Sequence, residues 1–187
     1  MTKIHWLGIG LSSVPGIKRL ANLDDNFVLW CRRTDDGKKM LADCQSQDVR
    51  HLSWDALKEA VSPGDVVVSM LPASEHVTVA NICLENDAHF VSSSYVSGEM
   101  QALHEAAKAK GLTLINEVGL DPGLDHLLAH DLIDSFKESE YASGDYQHSF
   151  RSYCGGFPSI PNDFKYKFSW SPVGVLKALK SPASWMQ

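Results

Sequence analysis

Chemistry first enters the sequence at Gly8-Ile9-Gly10-Leu11-Ser12-Ser13. A glycine-x-glycine turn between a strand and a helix suits a pyrophosphate. The first glycine permits the tight turn and the second lets the backbone approach the phosphates. The helix N-terminus beyond offers unpaired N–H groups. The third fingerprint position is Ser13, not Gly or Ala; it is small, and its hydroxyl can itself bond a phosphate. A second run, Trp30-Cys31-Arg32-Arg33-Thr34, closes the next apolar stretch. Asp or Glu there would hold the ribose 2′-hydroxyl of NAD, whereas two arginines suit a 2′-phosphate. NADP(H) is therefore the expected cofactor. Asp35 and Asp36 keep the other reading open, that both arginines are solvated loop charges. Leu71, ending the apolar run 65–71, is placed at the same cofactor edge.

The elements that must position these residues alternate. Residues 3–7, 27–31, 49–52, 65–71, 89–92 and 112–115 read as strands. Between them, 14–23, 34–46, 53–60, 75–85 and 99–110 read as helices, with Thr34 and Ser53 as N-caps. Met40 and Leu41 face inward, and His5 and Trp6 belong to the core. Apolar strands alternating with helices predict a doubly wound α/β parallel Rossmann sheet, covered on both faces. Beyond it the pattern changes. Leu124, Leu127, Leu128, Leu132 and Ile133 share one face of a helix over 124–136. Residues 141–153 read as a sheet strand, and 174–179 as a short helix. The expected division is a dinucleotide-binding domain, 1–120, and the start of an α+β substrate-binding and dimerisation domain, 121–187.

Composition narrows the class. With 44% hydrophobic and 21% charged residues, the chain has the profile of a soluble globular protein. A net charge of -6 without a basic patch argues against nucleic acid as a partner. No apolar run approaches the ~20 residues of a membrane helix, and the N-terminus lacks a signal-peptide pattern. Cys31, Cys44, Cys83 and Cys154 have no metal-ligand spacing; buried free thiols in a reducing cytoplasm, and no metal, are expected.

Four ordered motifs carry a resemblance. They are residues 93–100 (Ser-Ser-Tyr-Val-Ser-Gly-Glu-Met) and 116–126 (Asn-Glu-Val-Gly-Leu-Asp-Pro-Gly-Leu-Asp-His), then 153–158 (Tyr-Cys-Gly-Gly-Phe-Pro) and 166–172 (Tyr-Lys-Phe-Ser-Trp-Ser-Pro). Together they resemble the saccharopine reductases, the glutamate-forming saccharopine dehydrogenases. The resemblance runs from near residue 1 to near residue 183. It implies NADPH-dependent reduction of an imine formed from an aldehyde and an amino acid, or the reverse oxidation of a secondary amine such as saccharopine. It maps cofactor contacts onto Gly10, Leu11, Ser12, Ser13, Arg32 and Arg33, and places Leu120, Asp121, Pro122 and Ser171 near the nicotinamide. Substrate contacts fall on Ser94, Tyr95 and Asp121, with Cys154 and Gly155 as further candidates. Two departures bear on cofactor affinity: Leu11-Ser12 stands where the family usually has an aromatic, and Leu52-Ser53-Trp54 where relatives often carry Asp. Family members also continue past Gln187, so a C-terminally truncated form is expected, lacking basic residues that grip the substrate carboxylates.

Open α/β sheets build sites beyond the carboxyl ends of their strands. Ser94 and Tyr95 follow the fifth strand and Asp121 the sixth. Asp121 and Tyr95 are the candidate catalytic pair. Asp121 either stabilises an iminium or caps the helix at Leu124; Tyr95 either donates to a carboxylate or packs as an aromatic. His126 reads as structural, Glu117 as cap or site floor, and Cys154 as a buried inert thiol. A homodimer is expected. Two other classes compete: an NADP-binding module without catalysis, and a polyamine-pathway (carboxynorspermidine-type) reductase, which acidic pocket residues would favour. A sugar or hydroxy-acid oxidoreductase ranks low, because no YxxxK pattern is present.

Overall fold

The computed structural model describes residues 1–180 apart from 145, 157 and 169. Its centre is a six-stranded sheet, ordered β3-β2-β1-β4-β5-β6, in which every pairing is parallel. The strands are β1 (Ile4–Leu7), β2 (Phe27–Cys31), β3 (Asp48–His51), β4 (Val66–Ser69), β5 (His89–Ser92) and β6 (Leu114–Ile115). The crossover helices are α1 (Val14–Leu23), α2 (Thr34–Leu41), α3 (Trp54–Ala60), α4 (His76–Glu85), α5 (Gly98–Gln101) and α6 (His104–Ala109). The strand order reverses between β1 and β4, the crevice where doubly wound sheets take dinucleotides. The α/β Rossmann expectation is met.

Alternation divides the strand side chains between two cores. Leu7, Val28, Trp30, Val67 and Phe90 pack beneath α3 and α4 on one face. Trp6, Phe27, Leu29 and Val68 pack against Ile17 and Ala21 of α1 and Leu41 of α2 on the other. All five residues of β2 are buried, as a central parallel strand requires. His5 and Trp6 are core residues, as expected; His5 Nδ1 accepts the Trp30 indole N–H at 3.0 Å, and Nε2 faces Asp65 at 3.1 Å.

Several local expectations are corrected. Arg33 occupies the N-cap of α2, Thr34 is already helical, and the helix ends at Leu41 rather than Ser46. Ser53 does cap α3, accepting the Ala56 N–H. The helix expected over 99–110 is two pieces, because the Leu103 N–H takes the Met100 carbonyl and tightens the chain between them. Beyond the sheet come α7 (Leu124–Lys137) and α8 (Pro172–Ala178). The strand expected over 141–153 does not form. A 3-10 turn, Glu140–Ala142, precedes irregular backbone, and no neighbouring strand among the described residues offers a ladder. The tail 181–187 and Ser169 of the fourth motif lie outside the described residues.

Candidate functional site

The turn after β1 fits a phosphate. Gly8 sits at φ 101°, and a Cβ there would lie 3.0 Å from the Met70 carbonyl oxygen. Gly10, Leu11 and Ser12 are exposed, and among the described residues the N–H groups of Leu11 and Ser12 donate to no carbonyl. Ser13 is buried; its N–H closes the turn onto Gly10 and its carbonyl starts α1 by accepting the Ile17 N–H. The close helix–strand packing that the third fingerprint glycine normally permits is supplied one turn later by Gly16. A Cβ there would stand 3.0 Å from the Trp6 ring.

An open cleft of ≈ 660 Å³ lies over this turn, lined by Gly8, Ile9, Gly10, Arg32, Arg33 and Leu71 among others. The two arginines differ. Arg33 Nε is paired with Asp36 at 3.1 Å, whereas Arg32 carries no ion pair among the described residues. The arrangement can take a nucleotide along the turn, with a phosphate at the β2 end.

The ends of β5 and β6 build the adjoining part of the edge. The Tyr95 hydroxyl donates to Asp121 Oδ1 at 3.0 Å. Partial desolvation, then the Asp121, Asp125 and Glu117 carboxylates, push the Tyr95 phenol up to about 12. Glu117, held at φ 61°, accepts the Val96 N–H with Oε1 and donates its own N–H to the Ser94 carbonyl. Ser92 donates to Asn116 Oδ1 at 3.1 Å, tying the two loops below. Tyr95 and Asp121 are both exposed, so neither is a packed core group.

Asp121 does not cap α7. Gly123 holds the N-cap position, and its N–H is taken by Asp125 Oδ1 at 2.8 Å. Asp125 also bonds His126 Nδ1 at 2.9 Å, which raises the His126 pKa. Cys154 is exposed, not buried; the Asp121 carboxylate hydrogen-bonded beside it pushes its thiol up. Leu120 is exposed and Pro122 buried within the same loop. Ser171 spends its hydroxyl capping α8 by accepting the Gly174 N–H. Among the described residues no hydrogen bond or ion pair joins Ser171 or Gly155 to the cleft.

Sequence reasoning missed His76. It is buried at the start of α4, with Nδ1 3.0 Å from Ser69 Oγ and Nε2 2.8 Å from Ser94 Oγ. The available signal was its position just past Pro72, where the fourth strand ends. Gly16 was also missed, although it follows the turn by one helical step.

Residues 4–115 match the saccharopine dehydrogenase NADP binding domain, and 119–187 match the saccharopine dehydrogenase C-terminal domain. The chain belongs to the saccharopine dehydrogenase family. It carries the NADP-binding domain of these oxidoreductases. A saccharopine dehydrogenase [NADP(+), L-glutamate-forming] of Pyricularia oryzae is 39% identical over 188 residues, covering 97% of this chain and 41% of the relative. The mitochondrial alpha-aminoadipic semialdehyde synthase of Mus musculus is 44% identical over 193 residues, covering 98% of this chain and 20% of that one. Among solved structures, apo saccharopine dehydrogenase (L-Glu forming) from Saccharomyces cerevisiae matches at TM-score 0.77 and 32% identity. That match covers 96% of this chain and 41% of the other. The chain thus spans less than half the length of these relatives. No helix among the described residues is long and apolar enough to cross a membrane.

Proposed function

We propose that this chain forms the NADP(H)-binding part of an oxidoreductase acting on the CH–NH bond of an amino-acid adduct, saccharopine or a similar secondary amine. One observation carries this most: the Tyr95–Asp121 pair stands at the carboxyl edge of the same sheet whose β1 turn opens the nucleotide cleft. When bound, NADP accepts or supplies the hydride. The N–H groups of Gly10, Leu11 and Ser12 and the Ser13 hydroxyl would hold its pyrophosphate, and Arg32 and Arg33 its 2′-phosphate. Leu71, Leu120, Asp121 and Pro122 would border the nicotinamide. Asp121 offers a fixed negative charge where the substrate nitrogen becomes iminium in either direction. Tyr95 keeps its proton at neutral pH, so its hydroxyl acts as a hydrogen-bond donor that holds the Asp121 carboxylate in place. Ser94 meets the substrate from the β5 side, and Cys154 and Gly155 border it.

Pairing of two copies is supported by the exposed apolar row Leu124, Leu127, Leu128 and Leu132 on α7. A cytoplasmic location is supported by the free cysteines, three of them buried. A second reading, a reductase of carboxylated polyamines, draws on the three carboxylates around Tyr95, which suit a cationic substrate. The test follows absorbance at 340 nm while saccharopine or carboxynorspermidine is offered with NADP⁺. Reduction with saccharopine alone supports the first reading, and with carboxynorspermidine alone the second. Tight NADPH binding with neither reaction marks a cofactor-binding module without catalysis.

A further inference from the structure

At the functional edge, His76 is buried and has no role in the chemistry proposed for Tyr95 and Asp121. His76 joins the last residue of β4 to the loop after β5, and its ring lies edge-on to Phe90 at 6.0 Å. Ser69 is fully buried, and His76 Nδ1 is the one partner its hydroxyl has among the described residues. A buried hydroxyl proton needs an acceptor. Nδ1 can accept only if it carries no hydrogen, so the hydrogen of the neutral ring sits on Nε2. Nε2 then donates to Ser94 Oγ, and the Ser94 proton is turned away from the ring. Burial lowers the His76 pKa, which keeps the ring neutral and this arrangement intact. With the opposite tautomer, the Ser69 proton would have no acceptor and Ser94 would spend its own proton on the ring.

We infer that His76 is a positioning residue that fixes the Ser94 hydroxyl as a hydrogen-bond donor, aimed away from the ring toward an anionic or carbonyl oxygen of the substrate. The inference rests on the reductase reading for the ligand but not for the tautomer. No side chain among the described residues accepts the Ser94 hydroxyl proton, so a ligand oxygen can. Ser69 acts at one remove, by selecting the tautomer.

Two measurements test this. In protein carrying ¹⁵N-histidine, two-bond ¹H–¹⁵N correlations report where the His76 hydrogen resides. The expected result at pH 7.5 is Nε2–H; an Nδ1–H tautomer overturns the inference and needs no variant. Saccharopine is then titrated in the presence of NADPH, which cannot accept its hydride. His76→Leu is expected to weaken saccharopine about tenfold while leaving NADPH affinity unchanged, the latter showing that the fold is intact. His76→Gln, whose amide can still donate to Ser94, is expected to recover most of the loss. In a Ser94→Ala background, His76→Leu is expected to cost nothing further. Equal losses with and without Ser94, or no loss at all, would overturn the role. If the unaltered protein binds no saccharopine, the reductase reading falls, and the tautomer alone decides the claim about His76.

Discussion

Removing one arginine from the β2 end separates the two guanidinium groups that the sequence presents as equals. Arg32 and Arg33 both line the cleft and are both exposed. Arg33 is held by Asp36 at 3.1 Å; Arg32 is unpaired among the described residues. A charge-assisted hydrogen bond contributes about 1.5–3 kcal/mol. Arg32→Ala should therefore weaken NADPH by about tenfold to a hundredfold. Arg33 must first leave Asp36, a surface pair worth about 0.2–1 kcal/mol, so Arg33→Ala should cost severalfold less than Arg32→Ala. NADH lacks the 2′-phosphate, and its affinity should move by less than about twofold in either variant. Calorimetric titration at one fixed salt concentration measures all of this, because exposed charges are screened. Equal weakening of NADPH and NADH, or an unchanged NADPH affinity in Arg32→Ala, would refute the assignment of a phosphate to this corner.

Other consequences follow from the core and the edge. A Cβ at Gly37 in α2 would lie 2.8 Å from Val49 Cγ1 and 2.9 Å from Cys31 Sγ, so Gly37→Ala should destabilise the fold by about 1–3 kcal/mol in urea melts. An unchanged midpoint would show that α2 does not press on β3 as described. Acid should destabilise the protein through its buried groups His5, His76 and Asp65, whose signs agree. Burial lowers the folded-state pKa of His5 and His76, so the unfolded chain takes those protons first as pH falls below about 6.5. Burial alone would raise the Asp65 carboxyl, but the Lys3 and Ser62 N–H groups and His5 hold it below its usual value. Its contribution is present above about pH 4 and lost below that. The urea midpoint should fall from pH 7.5 to 5.5 and further to 4; a rise would contradict the buried pair. Tyr95→Phe removes an exposed hydrogen bond and should leave stability within about 0.5 kcal/mol. It should slow NADP⁺-dependent saccharopine oxidation about tenfold or more, and unchanged turnover would remove Tyr95 from the site.

The Rossmann sheet was legible because its signals are local. The all-apolar Phe27–Cys31 can only be a strand buried on both faces, and the glycine turn between β1 and α1 declares its own purpose. His5 was assigned to the core, but its satisfaction by Asp65 and Trp30 depends on register across the sheet, which no local pattern encodes. His76 is the same case at the functional edge: its partners Ser69 and Ser94 come from the end of β4 and the loop after β5. The misread strand over 141–153 has a different cause. Aromatic residues there mimic strand composition, yet Tyr141, Tyr146, Phe150 and Tyr153 are exposed and meet no partner strand among the described residues. A strand is a pairwise structure, and composition cannot supply its neighbour. Asp121 was read as a possible cap because it precedes Pro122. The chain instead puts Gly123 at that point and leaves the carboxylate for Tyr95.

The central claim is that NADPH lies along the β1 turn and the ends of β2 and β4. Amide chemical-shift mapping tests it most directly, by adding NADPH to ¹⁵N-labelled protein. The largest changes should fall on Gly8, Gly10, Leu11, Ser12, Arg32, Arg33 and Leu71, with NADH moving the turn but sparing the two arginines. Shifts centred elsewhere, or none at saturating NADPH, would contradict the account.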